Sequence, residues 1–101
     1  MARLQQDQET EALRVDIWLW RARFFKTRAA ASDYVGRKGV RITRLGQTRK
    51  TDKPGARISP GDTLTFYKAK QIETVEIVAL GTRRGPASEA QALYTRNSES
   101  A

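Results

Sequence analysis

The chain has 101 residues, 39% of them hydrophobic, with nineteen Lys and Arg against eleven Asp and Glu and a net charge of +8. That length supplies one modest core and leaves little room for a second module. Cysteine and histidine are both absent, which excludes disulfides, thiolate and imidazole chemistry and the zinc sites built on those ligands. No cofactor is expected.

The charge is unevenly placed. Residues 14–57 hold thirteen Lys and Arg against three acids, Asp16, Asp33 and Asp52, while the other fifty-seven residues carry a net −2. A cationic block of this kind suits a polyanion-binding surface. Nucleic acid is the expected partner; a solvating charge or an anionic membrane are the blander alternatives. No apolar run reaches the length of a membrane span, so no membrane partner is assigned.

Residues 1–12, MARLQQDQETEA, are polar and lack the apolar middle of a signal peptide. They read as a flexible lead-in, and the expected compartment is the cytoplasm. A first helix starts near Arg14. At 100° per residue, Val15, Trp18, Leu19, Ala22 and Phe25 share one stripe and predict a core face. Ile17, Trp20 and Phe24 form a second apolar group nearly opposite, with Arg14, Arg21 and Arg23 in the seams. Trp20 is assigned to packing against the C-terminal helix, with stacking on a nucleobase as the alternative.

Lys26-Thr27 interrupts this pattern. Thr27 is a plausible N-cap for a second helix from Arg28 to about Arg37, with Ala31, Tyr34 and Val35 facing inward and Gly36 or Gly39 ending it. A connection of about two residues would make the two helices a hairpin. Val40 and Ile42 then alternate with Arg41 and Thr43 as a strand. Residues 44–62 read as turn and loop, closing on SPGD at 59–62, a tight turn. Leu64 and Phe66 mark a strand at 63–67, and IETVEIVAL at 72–80 reads as its antiparallel neighbour. Gly85-Pro86 and a capping box from Ser88 to Gln91 predict a short helix over 86–95.

These elements predict an α+β fold, a helical hairpin on a small, mostly antiparallel sheet with a short C-terminal helix. The organisation is a tail at 1–12, a binding unit at 13–67, an extension at 68–95 packed on the same core, and a tail at 96–101. Candidate RNA contacts are Arg14, Arg21, Lys26, Thr27 and Arg28 on the hairpin, then Arg37, Lys38, Arg41, Arg44, Arg49 and Lys50 on the second helix, strand and loop. Arg28 is the leading candidate because the capped helix start beside it favours an anion. Asp16 is read as a helix cap or an arginine orienter, and Ser59 and Asp62 as turn formers. No arrangement of acids or nucleophiles suggests catalysis.

RVDIWLWRARFFKTRAAASDYV, with GVRIT, ISPGDTLTF and GTRRGPASEAQALY, resembles the bacterial fifteen-kilodalton heat-shock protein family over residues 13–95. These proteins carry an RNA-binding domain of the type found in the small-subunit ribosomal protein called S-four. The WLW at 18–20 and RRGPASEAQALY at 83–94 are the more specific stretches. The protein is expected to be non-catalytic and monomeric, and the resemblance implies that its partners are structured RNA of the large ribosomal subunit, that subunit itself, and tRNA. The resemblance also implies rescue of subunits that carry a stalled nascent chain. The chain departs from the domain pattern at Ile17, where a basic residue is usual, and at the longer turn Ile42–Gly46; no contact is assigned to Ile17. Two other classes stay open. One is a helix-turn-helix DNA binder, whose reading helix here would be mostly alanine. The other is the accessory RNA-binding subunit of an RNA-modifying enzyme.

Overall fold

The computed structural model describes residues 11–96. In chain order these form β1 (Leu13–Arg14), α1 (Val15–Arg21), α2 (Arg28–Lys38), β2 (Val40–Arg44), β3 (Gln47–Thr51), β4 (Arg57–Ile58), β5 (Thr63–Lys68), β6 (Gln71–Ile77), α3 (Ala87–Gln91) and β7 (Tyr94–Arg96). The fold is α+β, as the sequence predicts. The main sheet has the order β3-β2-β5-β6-β7 with every neighbouring pair antiparallel, and β1 and β4 form a separate small ladder. Of the tails expected at 1–12 and 96–101, residues 1–10 and 97–101 lie outside the described residues. Arg96 belongs to β7 rather than to a tail. Among the described residues no helix is long and apolar enough to cross a membrane.

Period-two alternation sets the core. Val40, Ile42, Leu64, Phe66, Val75 and Ile77 point to one face of the sheet, where α1 and α2 deliver Val15, Trp18, Leu19, Ala31 and Val35 into the same buried cluster. Fully burying a side chain of this size contributes about 1.5–3 kcal/mol relative to leaving it in water. Thr27 caps α2 as expected, its hydroxyl accepting from the Ala30 N–H at 2.9 Å, and Gly39 closes the helix at φ +81°. The SPGD turn also forms, with Gly61 at φ +99°.

Several expectations are corrected. Helix α1 stops at Arg21, and Arg23 takes φ +67°. The left-handed step ends the 100° count, so the two phenylalanines exchange places. Phe24 is buried against Trp18, Phe66 and Tyr94, while Phe25 is only partly buried. The helix connection is six residues, 22–27, not two. Residues 44–62 are not all loop: Gln47–Thr51 pairs along the whole of β2, and Arg57–Ile58 pairs with Leu13–Arg14. The strand at 72–80 ends at Ile77. The C-terminal helix is five residues long, Pro86 is its N-cap with no side-chain capping bond, and Tyr94 and Thr95 pair with β6 as a strand. Trp20 is absent from the core cluster and from the partly buried hydrophobics packed against it. The side chain over the Trp20 ring is Arg28, its guanidinium carbon 5.8 Å from the centroid.

Candidate nucleic-acid interface

The cations of the basic block fall into groups with different surroundings. At the start of α2, Lys26, Thr27 and Arg28 are exposed. The Thr27 cap fixes the first turn, and Trp20 supplies a flat surface under Arg28. At the far end of the same helix, about 16 Å away for eleven residues, lie Arg37 and Lys38. Arg37 pairs with Asp33 one turn back at 3.0 Å, both side chains well exposed; such a pair contributes little and exchanges readily with solvent.

A second group surrounds the β1–β4 ladder. Arg14 donates through Nε and Nη2 to the two oxygens of Asp16 at 3.1 and 2.9 Å. Arg44 does the same to Asp62 at 2.9 and 2.7 Å, and its Nη2 also reaches the Arg57 carbonyl at 3.3 Å. Both carboxylates are buried, 4% and 3% exposed, while the arginine side chains are about half exposed at 47% and 46%. The hydrogen bond to Asp16 raises the Arg14 pKa above its ordinary value, and that to Asp62 does the same for Arg44. A planar guanidinium gripped along one edge keeps donors on the other. Asp16 and Asp62 thus hold two arginines in place with their Nη1 edges without a partner among the described residues. Asp62 also accepts the Ser59 N–H at 2.8 Å, so the turn and the arginine share one carboxylate. Arg57 sits directly across from Arg14 in the ladder. Arg44 and Arg49 line one groove of about 510 Å³ beside the β2–β3 turn.

The third group lies on the opposite sheet face, where Arg41 and Lys50 are paired across β2 and β3 with Lys38 close by. Arg41 and Arg49 point to opposite faces, because their positions are out of step by one across the ladder. The sequence-predicted cations do not make one patch, since the pleat divides them.

Arg21 stands apart. Its Nη1 donates to the Gly81 carbonyl at 2.6 Å and reaches Leu80 at 3.5 Å. Arg23 Nε donates to Gly85 at 2.7 Å, Trp18 Nε1 to Ala79 at 3.0 Å, and Arg84 Nε back to Trp20 at 3.1 Å. These side chains tie α1 and its following turn to the segment 79–85, which has little regular structure of its own to satisfy its carbonyls. Arg21 is therefore committed to a backbone clamp, and Arg84 belongs to the same clamp from the other side. Sequence reasoning missed Lys53 and Arg57 as exposed cations of the second group. Their place in the basic block was the available signal.

No family model matches the sequence. The chain is 39% identical over 88 residues to heat shock protein 15 of Escherichia coli strain K12, covering 87% of this chain and 62% of that protein. It is 33% identical over 85 residues to the heat shock protein 15 homolog of Aeromonas salmonicida, covering 84% and 61%. The chain spans about three fifths of the length of these curated relatives. The trimeric structure of Vibrio cholerae heat shock protein 15 superposes with a TM-score of 0.74 at 32% identity, covering 89% of this chain and 86% of that one. The class defined by these likenesses is a small α+β heat-shock protein. In particular, the chain belongs to the heat shock protein 15 family.

Proposed function

We propose that this chain is a non-catalytic, cytoplasmic RNA-binding protein. Its partner is structured ribosomal RNA of the large subunit, and its role is to rescue subunits that carry a stalled nascent chain on tRNA. The observation that carries the reading is the pair of buried carboxylates, Asp16 and Asp62, gripping half-exposed arginines. Guanidiniums held in this way are ready to meet phosphates without further loss of side-chain freedom. Lys26 and Arg28 at the capped start of α2 supply a further anion-favouring position. A-form RNA admits side chains poorly at its major groove, so shape and backbone contacts dominate, and binding weakens steeply with salt. The large-subunit and rescue parts of the reading follow from the family resemblance. In this reading the chain works as a monomer, and the trimer is a state of the Vibrio relative.

A sucrose gradient of cell lysate tests it. Co-migration with large subunits, enriched when these carry peptidyl-tRNA, supports the proposal. Residence in free fractions or on small subunits overturns it, as does competition by duplex DNA as effective as that by ribosomal RNA.

A further inference from the structure

The sheet face that turns away from the helices carries two apolar side chains the RNA reading has not used, Tyr67 and Ile72. Antiparallel pairing sets Lys50, Arg41, Thr65 and Thr74 in one row across four strands, and the next row toward the β5–β6 turn is the pair Tyr67 and Ile72. Tyr67 is 54% exposed and Ile72 70%, whereas Leu64 and Val75, paired on the opposite face, are fully buried. An aromatic and a branched aliphatic side chain thus stand together in water beside two cations. Among the strand residues of this face the acid is Glu76, on the far side of the Thr65–Thr74 row from Tyr67; Asp52 follows Lys50 just past the end of β3, and neither Arg41 nor Lys50 has an ion-pair partner among the described residues. Lys38, Arg41, Lys50, Tyr67 and Ile72 line a cleft of about 170 Å³. The platform is held in place: the Tyr67 N–H donates to the Tyr34 hydroxyl at 2.8 Å, and the Tyr34 ring lies 5.4 Å from that of Phe25.

Arg41 and Lys50 are direct cross-strand partners of like charge, an arrangement that costs energy until an anion sits between them. A flat apolar surface beside an unneutralised cation pair suits a ligand with one planar ring and one phosphate. We propose that this cleft binds an unpaired nucleotide, with its base stacked on Tyr67 against Ile72 and its phosphate on Arg41 and Lys50. The site rests on the RNA reading above but recognises a different feature of the RNA. Stacking needs a base freed from its helix, and every base offers a π face, so the site favours single-stranded segments with little sequence preference. The cations at the start of α2 lie at the opposite end of that helix and hold a separate segment of backbone.

The test uses the full chain with two probes, a short oligouridylate and a blunt RNA duplex, read by fluorescence anisotropy. Tyr67→Ala weakens the oligouridylate about ten-fold, Tyr67→Phe restores it, and neither changes duplex binding or the melting temperature. In the unaltered protein, oligouridylate shifts the amide resonances of Tyr67, Ile72 and Thr65. Unchanged oligouridylate affinity in Tyr67→Ala, or resonance shifts confined to the start of α2, overturns the proposal. So does a Tyr67→Ala variant that dissociates self-associated chains while leaving oligouridylate affinity intact, since the face then belongs to a second copy. Duplex binding without oligouridylate binding overturns this site alone; failure of both probes overturns the RNA reading itself.

Discussion

Replacing Arg21 by alanine separates the two uses to which this basic block is put. Arg21 Nη1 donates to the Gly81 carbonyl at 2.6 Å from a partly buried side chain. A hydrogen bond from a charged donor contributes about 1.5–3 kcal/mol. Partial solvent access places this one toward the low end, so Arg21→Ala costs about 2 kcal/mol. For a domain of this size each kcal/mol moves the melting temperature by about 4–8 °C, which gives a fall of about 8–16 °C. The contrasting variant reverses Arg28 and Arg41 to Glu. Its known losses are the Arg28–Trp20 contact, about 0.5–1 kcal/mol at an exposed site, and it relieves the repulsion between Arg41 and Lys50. Its stability should therefore change by less than about 1 kcal/mol. Its affinity for ribosomal RNA should fall at least about ten-fold at low salt, and the salt slope should flatten by about 2 if each arginine holds one phosphate. Thermal melts by circular dichroism and salt-dependent anisotropy measure both variants. An Arg21→Ala protein that melts like the parent refutes the clamp. A double reversal that keeps full RNA affinity refutes the assignment of those two residues.

Three further outcomes follow from local geometry. Leu45 is 95% exposed at φ +51° and Gly46 follows at φ +80°, so they form a two-residue turn of the kind that favours Asn-Gly; Leu45→Asn should stabilise by about 0.5–1 kcal/mol in urea unfolding. Gly81 has φ +75° and a Cβ there would lie 3.2 Å from Leu93 Cδ1, so Gly81→Ala should cost about 2 kcal/mol or more by the same assay. RNA affinity should be flat from about pH 6 to 9, since the chain has no histidine. The Asp16 and Asp62 hydrogen bonds raise the pKa of Arg14 and Arg44 above ordinary values that are already high. On the alkaline side the two arginines' contribution to folding is therefore complete below their unfolded-state pKa and is lost as pH rises through the still higher folded one. A midpoint inside the tested range, seen by anisotropy, counts against arginine as the principal contact.

The exposed arginines and the committed ones share the same sequence region and the same charge, yet they differ in function. Arg14 and Arg44 each use one edge on a buried carboxylate and keep the other in solvent. Arg21 Nη1 and Arg23 Nε donate instead to carbonyls of the segment 79–85, about sixty residues away. Reading the charge total as a binding surface therefore overcounts it. The free groups also divide between two sheet faces, because neighbouring positions of β2 and β3 point in opposite directions.

The sequence by itself determined the elements whose signals are local. Apolar spacing in 15–22, the Thr27 cap, the alternation of Val40 and Ile42 and the SPGD turn each specify backbone geometry within a few residues, and each is present in the structure. The family was legible in the same way, through WLW and RRGPASEAQALY. The edge strand β3 was not legible, because QTRKT has no apolar alternation and gains its strand geometry only by pairing with β2. The exchange of Phe24 and Phe25 was also hidden, since it follows from the left-handed Arg23, whose side chain is held by the distant Gly85 carbonyl. Tertiary structure alone decided which cations remain for a partner and which face each one serves. That choice depends on acceptors brought close by the fold, and neither charge nor spacing along the chain encodes where those acceptors will be.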